Sequence, residues 1–133
     1  TVMFDELAGT SDTFAYNCSA GKDRAGIATA LILTVLGVNR DEIIHDYSLS
    51  DDYVDYMAEF TSEEAEANPN FAMLSQMPIE LLTPLMASYP EYIESAFEHL
   101  ESEHGSVMNF IQTELKVTDE EIAAIRDRLL ESL

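Results

Sequence analysis

The chain contains 133 residues, of which 26 are Asp or Glu and only 6 are Lys or Arg, and its formal charge at pH 7 is -20. Such an acidic surface repels nucleic acid and anionic lipid at long range, which excludes a general binder of phosphate backbones and requires that any anion be held locally. Because 47% of the residues are hydrophobic, the chain can bury a core, and a wholly disordered protein is excluded as well.

The first elements that we predict are a strand, a loop and a buried helix. Residues 13–17 carry aromatic side chains at alternate positions, which is typical of a β-strand. A glycine-containing turn follows over residues 18–22, and apolar residues then recur at helical spacing until Gly37, a residue type typical of the position just past a helix end. The order is therefore strand, loop, helix.

The rest of the chain is predicted to be helical. Helix starts are indicated by polar residues whose side chains can accept a backbone hydrogen bond, and these are Asn39, Ser50, Ser88, Ser106 and Thr118. Between Asn68 and Tyr89 three prolines interrupt an apolar segment, which predicts short helices there. An isolated strand cannot satisfy its backbone hydrogen bonds. We therefore expect an N-terminal portion carrying the rest of a sheet to be missing from residues 1–133.

The motif that points to chemistry is the loop between the predicted strand and helix. Cys18, the only cysteine, is separated from Arg24 by five residues that include Gly21. A loop at a helix N-terminus directs successive backbone N–H groups inward and binds a tetrahedral oxyanion, while an arginine can hold two phosphoryl oxygens with its planar fork. The same surroundings lower a cysteine pKa from about 8.5 to about 3.5–7.5. The pattern predicts a thiolate that attacks phosphorus and forms phosphocysteine.

The spacing of Cys18 and Arg24 also has a second interpretation. A lone cysteine is commonly a small buried hydrophobe, and an arginine six residues later can occur by chance. The preceding apolar strand, Gly21, the neighbouring Lys22 and the apolar helix that follows favour the catalytic interpretation.

These residues carry a resemblance to a known family. The sequence Asn17-Cys18-Ser19-Ala20-Gly21-Lys22-Asp23-Arg24-Ala25-Gly26 resembles the His-Cys-x-Ala-Gly-Lys-Asp-Arg-Thr-Gly loop of the bacterial tyrosine phosphatases that include mycobacterial phosphatase B and related lipid phosphatases. The likeness extends through residues 37–50, 92–107 and 115–118, and so covers nearly the whole chain. It implies an α/β, three-layer cysteine-phosphatase fold, in which residues 1–133 are the mostly helical C-terminal part of a single domain.

The resemblance also implies a role for each loop residue. Cys18 is the nucleophile, Arg24 binds the phosphate, and Asp23 donates a proton or orients the substrate. The substrate-binding positions that it implies are Ser19, Ala20, Gly21, Lys22 and Ala25. Lysine at position 22 is shared with phosphoinositide phosphatases, which implies tolerance for strongly anionic head groups. A purely structural role stays open for Asp23, which could simply pair with its two cationic neighbours.

Two positions depart from the family loop. Asn17 replaces the histidine that usually precedes the cysteine, and Ala25 replaces the hydroxyl residue that usually follows the arginine. The first change removes a group that orders the loop and helps to set the thiol pKa. The second removes a hydroxyl that can donate a hydrogen bond to the leaving sulfur, so we expect reduced activity.

The resulting hypothesis is a phosphate-monoester hydrolase with a phosphocysteine intermediate and no metal or other cofactor. Its substrates would be phosphotyrosine, with phosphoserine, phosphothreonine or phosphoinositides in addition, and its partners a phosphorylated protein or phosphoinositide rather than nucleic acid. No apolar run is long enough for a membrane span, and His45, His99 and His104 lack the spacing of metal ligands. The alternatives are a catalytically impaired module that only binds phosphate and a helical interaction domain whose loop binds nothing.

Overall fold

The computed structural model describes residues 2–60 and 77–131, apart from the side chains at positions 59 and 60. The regular structure in these ranges is helical. Its elements are α1 (Val2–Gly9), α2 (Asp23–Leu36), α3 (Arg40–Tyr53), α4 (Tyr56–Phe60), α5 (Ile79–Met86), α6 (Pro90–His104), α7 (Val107–Thr113) and α8 (Asp119–Leu129).

Helix α2 lies at the centre of the packing and contacts α3, α7 and α8, while α1 packs against α8 and α3 against α6. The main core contains Val35, Ile111 and Ile125, whose side chains are completely buried. Arg126 of α8 donates from Nε to the carbonyl oxygen of Val35 at 2.6 Å, which ties the last helix to the end of α2. The helix that follows the cysteine loop is thus held on several sides.

The prediction of an α/β, three-layer fold with a strand before the loop is wrong for the described residues, which contain no strand. A strand needs a neighbour to accept and donate its backbone hydrogen bonds, and residues 13–17 make none with another described segment. Side chains hold this segment instead. Phe14 packs on the main core, and the Tyr16 hydroxyl lies 2.7 Å from Thr29 Oγ1 of α2.

The helix ends show which of the predicted caps form. The side chains of Asn39 and Ser106 accept the backbone N–H three residues on, and Thr118 forms a reciprocal capping box with Glu121, so these three predictions are confirmed. Ser50 lies inside α3, so its predicted cap is wrong. No glycine or proline interrupts residues 40–53, and the helix therefore continues through them.

The start of α6 also differs from the prediction. Tyr89, not Ser88, occupies the N-cap position, and no side-chain hydrogen bond caps the helix. Pro90 is the first helical residue, where its missing N–H needs no partner. The sequence patterns did not predict α1, which Arg128 holds through a hydrogen bond from Nη1 to the carbonyl oxygen of Leu7 at 2.9 Å.

A second, smaller cluster lies beside the cysteine loop. It contains Tyr56 of α4 with Leu82 and Met86 of α5, and the loop residue Ala20 packs against it. Of the proline-interrupted segment, residues 68–76 lie outside the described residues, and α5 is the short helix that follows them. Within the described ranges, none of the helices combines the length and the apolar character that a membrane-spanning helix needs.

Candidate active site

The cysteine loop ends at the N-terminus of α2, and its backbone N–H groups converge on the sulfur. The pKa of the Cys18 thiol is lowered, chiefly because the Ala25 N–H donates a hydrogen bond to the sulfur, although partial burial acts in the opposite direction. The N–H groups of Gly21 and Ala20 and the charge of Arg24 lower the pKa further. Gly21 has a φ of 75°, a left-handed conformation that favours glycine and lets the chain turn around the thiol.

Arg24 closes the loop from the helix side. Its Nη2 donates to the Ser19 Oγ at 2.6 Å, so the guanidinium is held over the residue that follows the cysteine. The arginine residue is exposed, and a guanidinium carries five N–H donors in a planar fork. The geometry therefore keeps an arginine that can hold an anion next to the thiolate.

Three other arginines of this acidic chain are engaged in its packing. Arg40 forms a bidentate pair with the Glu101 carboxylate at 2.8–2.9 Å, and the two arginines of α8 donate to main-chain carbonyl oxygens. Arg24 is instead directed at the loop. The positive charge that an incoming anion meets at this end of α2 is thus local, as the overall charge of -20 requires.

Lys22 and Asp23 pair with each other, and Lys22 also contacts a main-chain oxygen that is distant in sequence. The Lys22 residue is only 3% exposed, and its ammonium donates to the Ala87 carbonyl oxygen at 2.9 Å and to Asp23 Oδ1 at 2.8 Å. The Asp23 side chain remains 60% exposed, so one side of its carboxylate is open to solvent. The structural role that the sequence left open for Asp23, pairing with Lys22, is therefore present, and the carboxylate is still within reach of a substrate.

A cavity of about 380 Å³ adjoins the loop on the side of Asp23 and Arg24. Its remaining walls are mostly apolar and come from three helices, with Ile27 on α2, Tyr47 on α3, and Tyr92 and Ile93 on α6. Burial, with the nearby carboxylates of Asp23 and Asp51, raises the pKa of Tyr47 to about 12, so this phenol stays neutral at physiological pH.

The sequence patterns assigned no functional role to Tyr47 or Tyr92. Gly26 was the available signal, because a glycine inside a helix marks a close approach of another element. A Cβ at Gly26 would stand 2.7 Å from the Tyr47 ring, so only glycine lets α3 lie this close to the first turn of α2.

All the predicted site residues thus lie in one loop and the first turn of α2. The N–H groups of Ala20, Gly21 and Ala25 act on the Cys18 sulfur, and the Arg24 guanidinium donates to the Ser19 hydroxyl. Lys22 donates to Asp23 and to the Ala87 carbonyl oxygen. Across the described ranges, no three side chains of His, Cys, Asp or Glu are grouped in a way that could hold a metal ion.

Cys18 is expected to react with iodoacetate at a rate that rises with pH through an inflection below the ordinary cysteine pKa. The thiolate is the reactive form, and the converging N–H groups stabilise it, so the thiol reaches its reactive state at a lower pH than a free cysteine does. Inorganic phosphate or arsenate should slow the reaction by occupying the loop. The measurement is the alkylation rate against pH, and an inflection at the free-cysteine value without protection by phosphate would contradict the assembled loop.

The chain is similar to curated bacterial proteins over most of its length. It is 31% identical over 132 residues to a Cupriavidus necator protein whose name places it among the tyrosine-protein phosphatases, covering 96% of this chain and 43% of that protein. It is 27% identical over 134 residues to a tyrosine-protein phosphatase of Nostoc commune, covering 96% and 42%, respectively. With the triple specificity protein phosphatase PtpB of Mycobacterium tuberculosis it shares 28% identity over 102 residues, which cover 72% of this chain and 36% of that protein.

The chain therefore spans roughly two fifths of the length of the first two of these relatives, at 43% and 42%. That residues 1–133 are the C-terminal part of one domain stays a prediction. The sequence pattern that defines the tyrosine phosphatase family matches residues 1–131. Together with the likeness to named tyrosine phosphatases, this match confirms the resemblance inferred from the loop, and the chain belongs to the tyrosine phosphatase family.

Proposed function

We propose that this chain carries the catalytic loop of a phosphate-monoester hydrolase whose nucleophile is Cys18 and whose principal substrate is phosphotyrosine. The observation that carries the proposal is the convergence of the Ala25, Gly21 and Ala20 N–H groups on the Cys18 sulfur, with Arg24 held beside it. This arrangement stabilises a thiolate and offers donors to the oxygens of a phosphoryl group bound above it.

In the proposed first step the Cys18 thiolate attacks phosphorus. The P–S bond forms as the P–O bond to the substrate breaks, and the leaving oxygen takes a proton from the Asp23 carboxyl group. Arg24 and the loop N–H groups hold the other phosphoryl oxygens while charge redistributes. The product of this step is phosphocysteine and a free alcohol or phenol.

In the second step water attacks the phosphocysteine. The Asp23 carboxylate accepts a proton from the water, the new P–O bond forms, and the P–S bond breaks to restore the thiolate and release inorganic phosphate. The Asp23 side chain is 60% exposed and lines the cavity beside Arg24, which supports a role in both proton transfers. Asp23 therefore carries the proton in both steps of the proposal.

The test is hydrolysis of p-nitrophenyl phosphate by the wild-type protein and by Cys18→Ser. We expect wild-type turnover and none with the serine variant, since a serine hydroxyl is not ionised in this site. If neither protein releases product while both bind phosphate or vanadate, the chain is a phosphate-binding module. If neither binds an anion, the loop has no role in phosphoryl chemistry.

The substrates beyond phosphotyrosine follow from the same loop. Phosphoserine, phosphothreonine and phosphoinositides are further candidates, and the name of the mycobacterial relative describes a triple specificity. The mostly apolar cavity beside Asp23 and Arg24 supports an aromatic ester as the principal substrate, because a phenyl ring buries its apolar faces there. Comparing kcat/KM for a tyrosine-phosphorylated peptide, its serine counterpart and a soluble phosphoinositide orders the three classes.

Replacing Ala25 by Thr is expected to raise kcat by about tenfold to a hundredfold. Ala25 already supplies its backbone N–H to the sulfur but has no side-chain donor. A hydroxyl bonded to the departing thiolate is worth roughly 1.5–3 kcal/mol, and the gain falls on breakdown of phosphocysteine. Rapid mixing of the wild type with an aryl phosphate should show a burst of phenol close to the enzyme concentration.

The variant Ala25→Ser provides a matched comparison because it restores the hydroxyl without the methyl group. Both variants should leave the rate of the burst nearly unchanged while raising the steady-state rate. A wild type without a burst, whose kcat does not respond to either substitution, would mean that breakdown of the intermediate does not limit turnover.

A further inference from the structure

The connection between α5 and α6 is held from two sides by opposite charges. The Lys22 ammonium of the cysteine loop donates to the Ala87 carbonyl oxygen at 2.9 Å. The next residue, Ser88, donates its backbone N–H to both carboxylate oxygens of Asp51 on α3, each at 2.8 Å. One peptide segment thus joins a cation of the loop to an anion of a neighbouring helix.

Lys22 and Ser88 are buried, whereas Asp51 reaches the Ser88 N–H from an exposed position on α3. Lys22 is 3% exposed and Ser88 is 1% exposed. The ammonium also bonds to Asp23 and lies 5.9 Å from the centre of the Tyr56 ring. A buried charge is costly unless it is paired and hydrogen-bonded, so this geometry opposes the release of Lys22 toward a ligand.

The same segment is continuous with one wall of the cysteine loop. Ala20, whose N–H acts on the Cys18 sulfur, packs against the cluster of Tyr56, Leu82 and Met86 that ends immediately before Ala87. The Ser88 N–H, four residues after Pro84, bonds to Asp51 instead of extending α5, while the Pro84 carbonyl oxygen accepts the Tyr92 hydroxyl at 3.0 Å. A shift of residues 87–88 would therefore move the wall against which Ala20 rests.

We propose that Lys22 and Asp51 are positioning residues that act through Ala87 and Ser88 to hold the cysteine loop in the shape in which its N–H groups face the sulfur. Lys22 then contributes to phosphoryl chemistry by fixing the loop and Asp23 rather than by contacting substrate. Asp51 lies 33 positions after Cys18 in the chain and contributes through the Ser88 N–H. The inference rests on the proposed function for its consequence in catalysis, but the loop geometry itself can be measured without turnover.

The direction in which Asp51→Ala changes the alkylation rate distinguishes positioning from a through-space electrostatic effect. Asp51 carries a negative charge, so removing it should by electrostatics alone stabilise the Cys18 thiolate and speed alkylation. If Asp51 positions the loop, Asp51→Ala should instead slow alkylation, because the N–H groups lose their alignment on the sulfur. The two explanations therefore predict opposite changes.

The experiment is a double-mutant cycle on the iodoacetate reaction of Cys18, measured against pH with Lys22→Met, Asp51→Ala and the two together. Each single variant is expected to slow the reaction about tenfold at a pH below the thiol pKa, which corresponds to a rise of about one pKa unit. The double variant should be little slower than either single one, because both act through the same segment. Asp51→Asn, which keeps a side-chain oxygen for the Ser88 N–H, should react nearly as fast as the wild type.

The controls keep the result interpretable. Asp52→Ala removes the same charge from the exposed neighbouring residue of α3 and should not slow the reaction. Faster alkylation of Asp51→Ala, or effects of the two single variants that add in full, would overturn the proposal. The proposal would also be overturned if inorganic phosphate protected Cys18 less well in Lys22→Met while its protection in Asp51→Ala stayed at the wild-type level. Lys22 would then be a direct phosphate ligand.

Thermal melts of every variant identify any that fail to fold, and for these the variant that keeps a hydrogen-bonding group, Asp51→Asn or Lys22→Gln, is compared with the wild type. Alkylation of Asp51→Asn at nearly the wild-type rate supports positioning, and faster alkylation, as expected from loss of the charge alone, contradicts it. A wild-type protein that does not hydrolyse p-nitrophenyl phosphate would overturn the proposed function and leave this alkylation result intact. The two failures are thus distinguishable.

Discussion

Replacing Asp23 by Asn is expected to lower kcat/KM for phenyl phosphate by about 10²- to 10⁴-fold, the usual contribution of a positioned acid. The same change should have far less effect on p-nitrophenyl phosphate, whose leaving phenolate is stable without a proton. The physical basis is the place of Asp23, which is the first residue of α2 and has a 60% exposed side chain that lines the cavity beside Arg24. The measurement is kcat/KM for the two esters with each protein.

The comparison between the two esters distinguishes a role of Asp23 in proton transfer from a role in holding the loop. Asp23 also accepts a hydrogen bond from Lys22 at 2.8 Å, so its loss could disturb the loop. A structural effect would lower the rates with both esters by the same factor, and that outcome would contradict the role in proton transfer. Asp41→Asn is the matched control, because Asp41 is an exposed acidic residue in the first turn of α3 and the change has the same effect on helix charge.

Local causes explain the part of the fold that could be predicted. Helix α2 was expected to end at Gly37, and Gly37 has a φ of 83° with its N–H bonded to the carbonyl oxygens of Leu33 and Thr34. The caps at Asn39, Ser106 and Thr118 depend on side chains that bond to the backbone three residues away. Each of these features is decided within a few neighbouring residues, so the sequence pattern is sufficient to find it.

The errors arise where distant parts of the chain decide the structure. The alternating aromatic residues 14 and 16 suit a strand, but a strand also needs a partner, and in the described chain Tyr16 bonds to Thr29 of α2. Helix α1 depends on packing against α8 at the other end of the chain. Neither interaction leaves a periodic signal in the short segment that it stabilises.

In the candidate site, too, the features decided by neighbouring residues could be predicted and the contact with a distant residue could not. The positions of Cys18, Gly21 and Arg24 followed from their spacing, because one short loop determines their geometry. The partner of Lys22 did not follow, since Ala87 lies 65 residues further along the chain and contributes only its main-chain oxygen. A carbonyl group is present in every residue, so no sequence pattern distinguishes the one that a buried ammonium will contact.

Replacing Arg24 by Lys is expected to reduce kcat/KM for p-nitrophenyl phosphate by about 10²- to 10³-fold, the usual cost of losing a preorganised donor to a developing charge. Lysine keeps the positive charge but cannot provide the planar pair of N–H groups that binds two phosphoryl oxygens at once. It also loses the geometry of the Nη2 bond to Ser19 Oγ at 2.6 Å, which orients the guanidinium over the loop. Steady-state kinetics of the variant provide the measurement.

Arg40→Lys is the matched control for this substitution. Arg40 also makes a bidentate contact, with the Glu101 carboxylate at 2.8–2.9 Å, but it lies on α3 away from the cysteine loop. A loss of activity in both variants would indicate general destabilisation, and unchanged activity in Arg24→Lys would mean that charge alone is sufficient at this position.

Since Arg24 is expected to act when the P–S bond forms, the Arg24→Lys variant should also lose the burst of phenol that the wild type shows. Breakdown of phosphocysteine would then no longer be the slower step, and introducing Ala25→Thr into this variant should leave kcat nearly unchanged.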